Sequence, residues 1–340
     1  MKTLVTGAAG FIGGYLVPEL LAAGHEVIGL DNFSKYGPLT RAHDSDPGYT
    51  LVEGDAKDVS LLTELALDCD HVVAGAAMIG GISYFHEFAY DLLAENERII
   101  AATFDAAIEA HRRGHLQKIT VISSSMVFES ATVFPTPEGA ELTSPPPLST
   151  YGFQKLATEF FAKGAWEQYH LPYTIARPFN CVGIGERRAS RDVDIMSGNV
   201  KLALSHVVPD LVQKVLKGQD PLHILGDGSQ VRHYTYGGDL AHGIRLCVES
   251  EPARNGDFNL STAASTTVRE LAEVVWRKIK GPERPLRLVF DKPFEYDVQM
   301  RVPDTRKARE ILGFEATTSL EGMLDEVIPW IRDEIAAGRI

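Results

Sequence analysis

Tyr151 and Lys155 stand four residues apart in Tyr151-Gly152-Phe153-Gln154-Lys155, where helical spacing begins and runs over residues 151–169. One helical turn separates them, so both project from the same face. A phenol is a poor base at neutral pH because its reference pKa is about 10, and bringing it near 7 takes about 4 kcal/mol of differential stabilisation. A neighbouring ammonium supplies part of that. Ser124 follows a buried strand pattern over 118–123 and places a hydroxyl where it can share the proton on a substrate oxygen. Ser124, Tyr151 and Lys155 together suit removal of a proton from an alcohol as its carbon is oxidised. Taken alone, a Tyr-x-x-x-Lys pair is common and more often a packed surface pair.

Oxidation needs a hydrogen acceptor, and the N-terminus offers a place for one. Lys2-Thr3-Leu4-Val5-Thr6 is a strand pattern that runs into Gly7-Ala8-Ala9-Gly10-Phe11-Ile12-Gly13 and then into a helix. Glycine at every third position lets the backbone pass close to a pyrophosphate, and the helix presents unpaired N–H groups and its positive dipole end. Residues 26–32 read as a second strand ending in Asp31 and Asn32. The Asp31 carboxylate is placed to accept hydrogen bonds from an adenosine ribose and repels a 2′-phosphate, which favours NAD over NADP. The expected cradle is Gly7, Gly10, Phe11, Ile12, Gly13, Asp31 and Asn32, with the positive charge of the nicotinamide at Tyr151 and Lys155.

Strand and helix patterns alternate through the first half: strands at 49–54, 71–77, 118–123 and 172–177, helices at 59–67, 92–113 and 151–169. This alternation predicts an α/β fold, a Rossmann-type doubly wound parallel sheet with helices on both faces, over residues 1–180. Beyond Asn180 the rhythm changes. Short strands at 222–225 and 231–235 and helices at 239–248, 268–279 and 320–336 predict a smaller mixed α/β C-terminal substrate lobe over 181–340, part of it returning to the sheet.

With 340 residues, 44% hydrophobic and 23% charged, the composition is that of an ordinary globular protein. A formal charge of −13 argues against nucleic acid and anionic membrane as partners. Cys69, Cys181 and Cys247 are scattered, without metal-ligand spacing, and fit buried thiols in a reducing compartment. No apolar run is long enough to span a bilayer, and the strand opening at Lys2 leaves no leader ahead of it, so the expected location is the cytoplasm.

The opening turn, Thr6-Gly7-Ala8-Ala9-Gly10-Phe11-Ile12-Gly13, and the Tyr151/Lys155 pair resemble the extended short-chain dehydrogenase/reductase family, in its nucleotide-sugar epimerase/dehydratase branch. The resemblance covers nearly the whole chain. It implies that Asp55 and Ala56, in Gly54-Asp55-Ala56-Lys57-Asp58, lie at the adenine, and that Ala76 borders the cofactor. It places Asn180, in Arg177-Pro178-Phe179-Asn180-Cys181-Val182-Gly183, against a nucleotide sugar. Arg232, in Gly226-Asp227-Gly228-Ser229-Gln230-Val231-Arg232, and Arg301, in Arg301-Val302-Pro303-Asp304, would grip the substrate diphosphate; a planar guanidinium suits that task in an acidic protein. Helices 92–113 and 151–169 are the pair that relatives pack into a four-helix interface, which implies a homodimer.

Within this branch the residues after Ser124 discriminate among reactions. Dehydratases carry Asp-Glu there and uronate decarboxylases a Glu at the second position; this chain has Ser125 and Met126. The resemblance then implies a 4-epimerase, in which a transient 4-keto sugar takes the same hydride back on its other face and NAD is retained. Two segments resemble the substrate loops of GDP-fucose synthase and GDP-mannose 3,5-epimerase: residues 76–82, with Gly80 and Gly81, and Ser205-His206-Val207-Val208-Pro209. His206, with Val207 beside it, is therefore either an acid for a 3,5-epimerase or keto-sugar reductase, or a helix-start residue bonded to backbone. Met126 aligns with the cysteine that partners this histidine in the reductase, and Asp31 disfavours NADP. Arg187, Arg188 and Arg191 read as a solvated loop or as a carboxylate site for a uronate epimerase or decarboxylase. Cys181 reads as a space-filling thiol, Ala74 replaces a histidine common in relatives, and Tyr84-Phe85-His86 reads as a substrate loop or core packing. A non-catalytic dinucleotide sensor is the remaining alternative.

Overall fold

The computed structural model describes residues 1–79, 87–186, 195–202, 206–292 and 298–340. Gly80, Gly81, Tyr84, Phe85, His86, Arg187, Arg188, Arg191 and Ser205 lie outside the described residues.

Strands β1 (Lys2–Thr6), β2 (Glu26–Asp31), β3 (Tyr49–Glu53), β4 (His71–Ala74), β5 (Lys118–Ile122) and β6 (Tyr173–Pro178) alternate with helices α1 (Phe11–Ala22), α2 (Val59–Ala66), α3 (Ala89–Arg112) and α4 (Thr150–Tyr169). Every residue of β4 and β5 is buried, as in a parallel sheet covered on both faces. Chain direction across the sheet reverses at β1, which is flanked by β2 and β4. A crevice therefore opens beyond the carboxyl ends of β1 and β4, and ligands of open α/β sheets bind at such a point.

The second half supplies short paired strands: β7 (Cys181–Val182) with β12 (Thr235–Tyr236), β8 (Ile195–Ser197) with β9 (Val200–Leu202), β10 (Leu222–Leu225) with β15 (Leu288–Asp291), and β11 (Val231–Arg232) with β14 (Thr266–Thr267). It also returns one strand, β13 (Gly256–Leu260), to the edge of the main sheet beside β6. The full sheet is seven-stranded, in the Rossmann order β13-β6-β5-β4-β1-β2-β3. Its core has two faces. Leu16, Val17 and Leu20 of α1 pack with Leu240 and Ile244 of α6 (Gly237–Glu249) on one face. Phe104 and Ala107 of α3 and Ala162 of α4 pack over Ile119 and Ile175 on the other. A third cluster joins α5 (Val207–Leu216), α7 (Val268–Lys280) and α8 (Leu320–Ala336) through Val212, Leu271, Trp276 and Val327. A capping box opens α7: Glu270 N–H donates to Thr267 Oγ1 (3.1 Å) and Thr267 N–H to the Glu270 carboxylate (2.7 Å).

Helix α5 (Val207–Leu216) stands in addition to the three helices expected beyond residue 180, and two strands differ in extent. The strand expected over 71–77 stops at Ala74, because the next two N–H groups, of Gly75 and Ala76, leave the ladder and donate to Thr6 Oγ1 (3.1 Å each). The strand expected over 231–235 divides into β11 and β12, which pair with different neighbours. Among the described residues no helix is long and apolar enough to cross a membrane, and no cluster of His, Cys, Asp or Glu is arranged to hold a metal.

Candidate active site

The glycine turn after β1 is built for close approach. Gly7 has φ +75°, and a Cβ there would lie 2.9 Å from the Ala76 backbone. A Cβ on Gly13 would lie 2.4 Å from Ala8 O and 2.5 Å from Gly7 O, which ties α1 tightly to the turn. Gly10 is the N-cap of α1 and gives it no side-chain cap, and no acidic residue stands in the first turn with Phe11 and Ile12. Its free N–H groups and dipole suit an anion. Asp31, at the end of β2, accepts from Ala9 N–H (3.0 Å) and Phe33 N–H (2.8 Å). Each carboxylate oxygen keeps a further lone pair for a ribose hydroxyl. Asn32 accepts from Ser34 N–H (3.1 Å), and Asp55 forms a tight turn by accepting from Lys57 N–H (2.9 Å), with Ala56 buried behind it. These residues fit a dinucleotide.

Two contributors to this cradle escaped the sequence reading. Arg41 lays its guanidinium on the turn, donating from Nη2 to Ala9 O (2.7 Å) and Gly10 O (3.0 Å). A lone arginine in a loop carries no sequence signal for that. Tyr15, one turn further along α1, accepts from Ile184 N–H (2.7 Å) and wedges against Gly183 and Gly237, where added Cβ atoms would stand 2.3 and 2.6 Å from it. The cofactor helix is thereby fastened to the segment after Asn180.

Ser124, Tyr151 and Lys155 converge at the carboxyl end of β5. Glu129 fixes the entry to α4 by accepting from Ser149 N–H (3.0 Å) and Oγ–H (2.8 Å), and Ser149 Oγ in turn caps Gly152 N–H (3.0 Å). Tyr151 then lies at the positive end of the helix dipole, in an apolar cluster with Leu92 and Met126 flanked by Met78, Ile79 and Phe88. Burial pushes the phenol's pKa up, while a hydrogen bond with Ser124 and the charge of Arg301 pull it down. The Lys155 ammonium donates to Ile122 O (2.9 Å). Burial draws the pKa of Lys155 down to about 8, opposed by the carboxylate of Glu159. Ser124 also caps a 3-10 turn, accepting from Met126 N–H (3.2 Å), and Ser125 and Met126 are buried beneath it.

Arg301 reaches this cluster from a segment held on both sides. Arg301 N–H donates to Val231 O (3.2 Å), while Thr136 N–H donates to Val302 O (2.8 Å). The Arg301 Nη2 contacts Met126 Sδ (2.6 Å). Arg232, on β11, donates from Nη1 to Val231 O (3.0 Å) and Gln299 O (3.3 Å), so β11 and the 299–304 segment hold the two arginines together. Asn180 has φ +39° between β6 and β7 and donates from Nδ2 to His233 O (3.3 Å). His206 is the N-cap of α5, with Val207 its first residue, and the helix-start reading holds for position. Its partner is not backbone: Nδ1 pairs closely with the buried carboxylate of Glu186. Cys181 is half-buried, and burial raises its thiol pKa far above the ordinary range, which disfavours the thiolate. Ala76 borders the turn through its bond to Thr6. Asn96 of α3 was also missed; it pins the loop after β4 with a reciprocal pair, Met78 N–H to Oδ1 (2.7 Å) and Nδ2 to Met78 O (2.9 Å).

The sequence profile of the NAD dependent epimerase/dehydratase family matches residues 3–261. A UDP-glucose 4-epimerase of Mycolicibacterium smegmatis is 28% identical over 347 residues, covering 98% of this chain and 99% of that protein. The structure of a UDP-glucose 4-epimerase from Thermotoga maritima with UDP-glucose superposes with a TM-score of 0.79 at 29% identity, over 98% of this chain and 100% of the other. A UDP-glucuronic acid 4-epimerase from Bacillus cereus, in complex with UDP-glucuronic acid and NAD, gives 0.82 at 25% identity, over 98% and 99%. The chain thus belongs to the NAD dependent epimerase/dehydratase family, with NAD as its cofactor.

Proposed function

We propose that the protein is a nucleotide-sugar 4-epimerase. The observation that carries this reading is what surrounds Tyr151: Ser124 at its hydroxyl, Lys155 one turn away, and Ser125 and Met126 where an acid or base for elimination would have to stand. Bound NAD supplies reversible two-electron oxidation of the sugar carbon, held by the Gly7–Gly13 turn and Asp31. Tyr151 takes the hydroxyl proton and gives it back, with Ser124 sharing it. Arg232 and Arg301 bind the diphosphate as bidentate cations. Arg301 serves twice, since its charge also favours the phenolate. The apolar wall of Leu92, Met126 and Met78 keeps water from the oxidised sugar.

The pairing of His206 with buried Glu186 favours a second reading, a 3,5-epimerase or reductase, because a carboxylate orients an imidazole for proton transfer. Incubation with UDP-, GDP-, CDP- and dTDP-sugars in deuterated water separates the two. Proton NMR is expected to show inversion at C4 with no deuterium taken up. Exchange at C3 or C5, or stoichiometric consumption of NADPH with a keto sugar, transfers the assignment to the second reading.

The working unit in this proposal is a homodimer joined through α3 and α4. These helices present a continuous apolar groove lined by Ala101, Phe104, Ala157, Phe160 and Ala165. Phe153 and Phe160 are 48% and 55% exposed on it, a face that a monomer leaves in water. Phe160→Asp is expected to yield a monomer by light scattering at micromolar concentration, against a dimer for the parent chain. A monomeric parent chain overturns the assignment.

A further inference from the structure

The strip of chain that brings in Arg301 is tied down by a buried side chain that the mechanism above does not use. Asn259, on the edge strand β13, is completely buried. Its neighbours Phe258 and Leu260 belong to the core cluster that holds α1 and α6. Side chains alternate along a strand, so Asn259 projects from the opposite face. There its Nδ2 donates to Thr136 O (3.1 Å) and to Asp304 O (3.2 Å). Thr136 O takes a second bond from Asp304 N–H (2.9 Å), and Thr136 N–H donates to Val302 O (2.8 Å). Asn259 N–H donates to Glu138 Oε1 (2.8 Å). One amide thus joins the sheet edge, residues 136–138 and residues 302–304, directly after Arg301.

Stability alone does not call for an amide here. Burying one costs free energy unless its polar atoms are paired, and Asn259 Oδ1 is buried with no hydrogen-bond partner among the described residues. The position uses the two donors. A carbonyl has two lone pairs, and Thr136 O fills both, one with Asn259 and one with Asp304, which sets the strip in distance and direction. The strip's other edge is held by β11, through Arg301 N–H to Val231 O (3.2 Å) and Val231 N–H to Gln299 O (2.9 Å). Clamped on both edges, it carries the Arg301 guanidinium to Met126 Sδ (2.6 Å). An arginine held in place before its anion arrives loses less freedom on binding it.

We propose that Asn259 is a positioning residue for Arg301: its amide donors lock residues 302–304 to Thr136 and so preorganise the guanidinium for the substrate diphosphate. This deepens, and rests on, the reading of Arg301 as a diphosphate-binding cation. The glycine turn that cradles the cofactor follows β1, four strands away from β13 across the sheet. The amide therefore acts on diphosphate binding and leaves NAD binding alone.

The test is Asn259→Ala, read by calorimetric titration of UDP, GDP and NAD and by hydrogen–deuterium exchange of peptides covering residues 299–304. Affinity for the diphosphates is expected to fall about tenfold, the scale of one or two hydrogen bonds lost from the clamp. The 299–304 amides should exchange faster, with NAD affinity unchanged. A structural role alone lowers the melting temperature and leaves the diphosphate affinity of the folded protein at the parent value; that result overturns the proposal, as does an equal loss of NAD affinity. If Asn259→Ala does not fold, Asn259→Ser decides, since its shorter hydroxyl cannot reach both carbonyls: a loss confined to the diphosphates supports the role, and parent affinities overturn it. Should the parent protein bind neither UDP nor GDP, the diphosphate reading of Arg301 fails. Exchange then still decides whether Asn259 holds the strip, faster exchange supporting that role and parent exchange overturning it.

Discussion

Tyr151→Phe is expected to lower kcat by about 10²- to 10⁴-fold, the usual range for loss of a positioned acid–base group. The substitution deletes one hydroxyl and leaves the ring in its cluster with Leu92 and Met126, so folding and cofactor retention should be unaffected. KM for the nucleotide sugar should change little, because the diphosphate arginines and the pocket wall remain. The sign follows from the electrostatics. The buried phenol resists ionisation, and Ser124 and Arg301 are placed to offset that resistance at the oxygen that the variant lacks. The measurement is steady-state kinetics on the sugar identified by NMR, with the bound NAD quantified in parallel. A variant within a few fold of the parent kcat, still loaded with NAD, removes Tyr151 from the chemistry.

Gly13→Ala is expected to weaken binding of the cofactor by about a hundredfold. The new methyl would stand 2.4 Å from Ala8 O and 2.5 Å from Gly7 O, both backbone atoms of the turn that receives the pyrophosphate. Backbone cannot swing aside as a side chain does, so α1 must shift away from the turn. An overpacking cost of about 3 kcal/mol, a typical upper value for one extra methyl, corresponds to about a hundredfold weaker NAD binding if the strain falls on the bound state. Gly24→Ala is the control. Unlike Gly13 it has positive φ (+85°), but nothing lies within 4 Å of its Cβ position. Its cost is confined to left-handed backbone strain of about 1 kcal/mol, with the cofactor untouched. Calorimetric titration of NAD into both variants checks the contrast; equal affinities would show that the tight packing at Gly13 does not shape the site.

Much of this architecture is local and so was legible in the chain. The parallel sheet shows as largely apolar runs such as β5, and the dinucleotide turn shows because glycine suits φ +75° at Gly7 and a backbone 2.4 Å from a Cβ position at Gly13. The α8 bounds, Leu320–Ala336, match the helical spacing residue for residue. Tyr151 and Lys155 were legible because a helix fixes the relation of residues four apart. The pairing of Arg232 with Arg301 came only through resemblance, as no periodicity connects positions 69 residues apart.

Local pattern determined the strands, the helices, the cofactor turn and the identity of the tyrosine–lysine pair, since each depends on neighbours within a few residues. Tertiary structure decided which charges act on that pair. Arg177 of β6 meets Glu159 of α4 and Asp257 of β13 only because these elements pack together, and Arg301 reaches Met126 from 175 residues away. The proton affinities of Tyr151 and Lys155 depend on burial and on partners that the fold alone brings together, and for that reason the sequence named the pair but could not show the charge of Arg301 acting on the phenol.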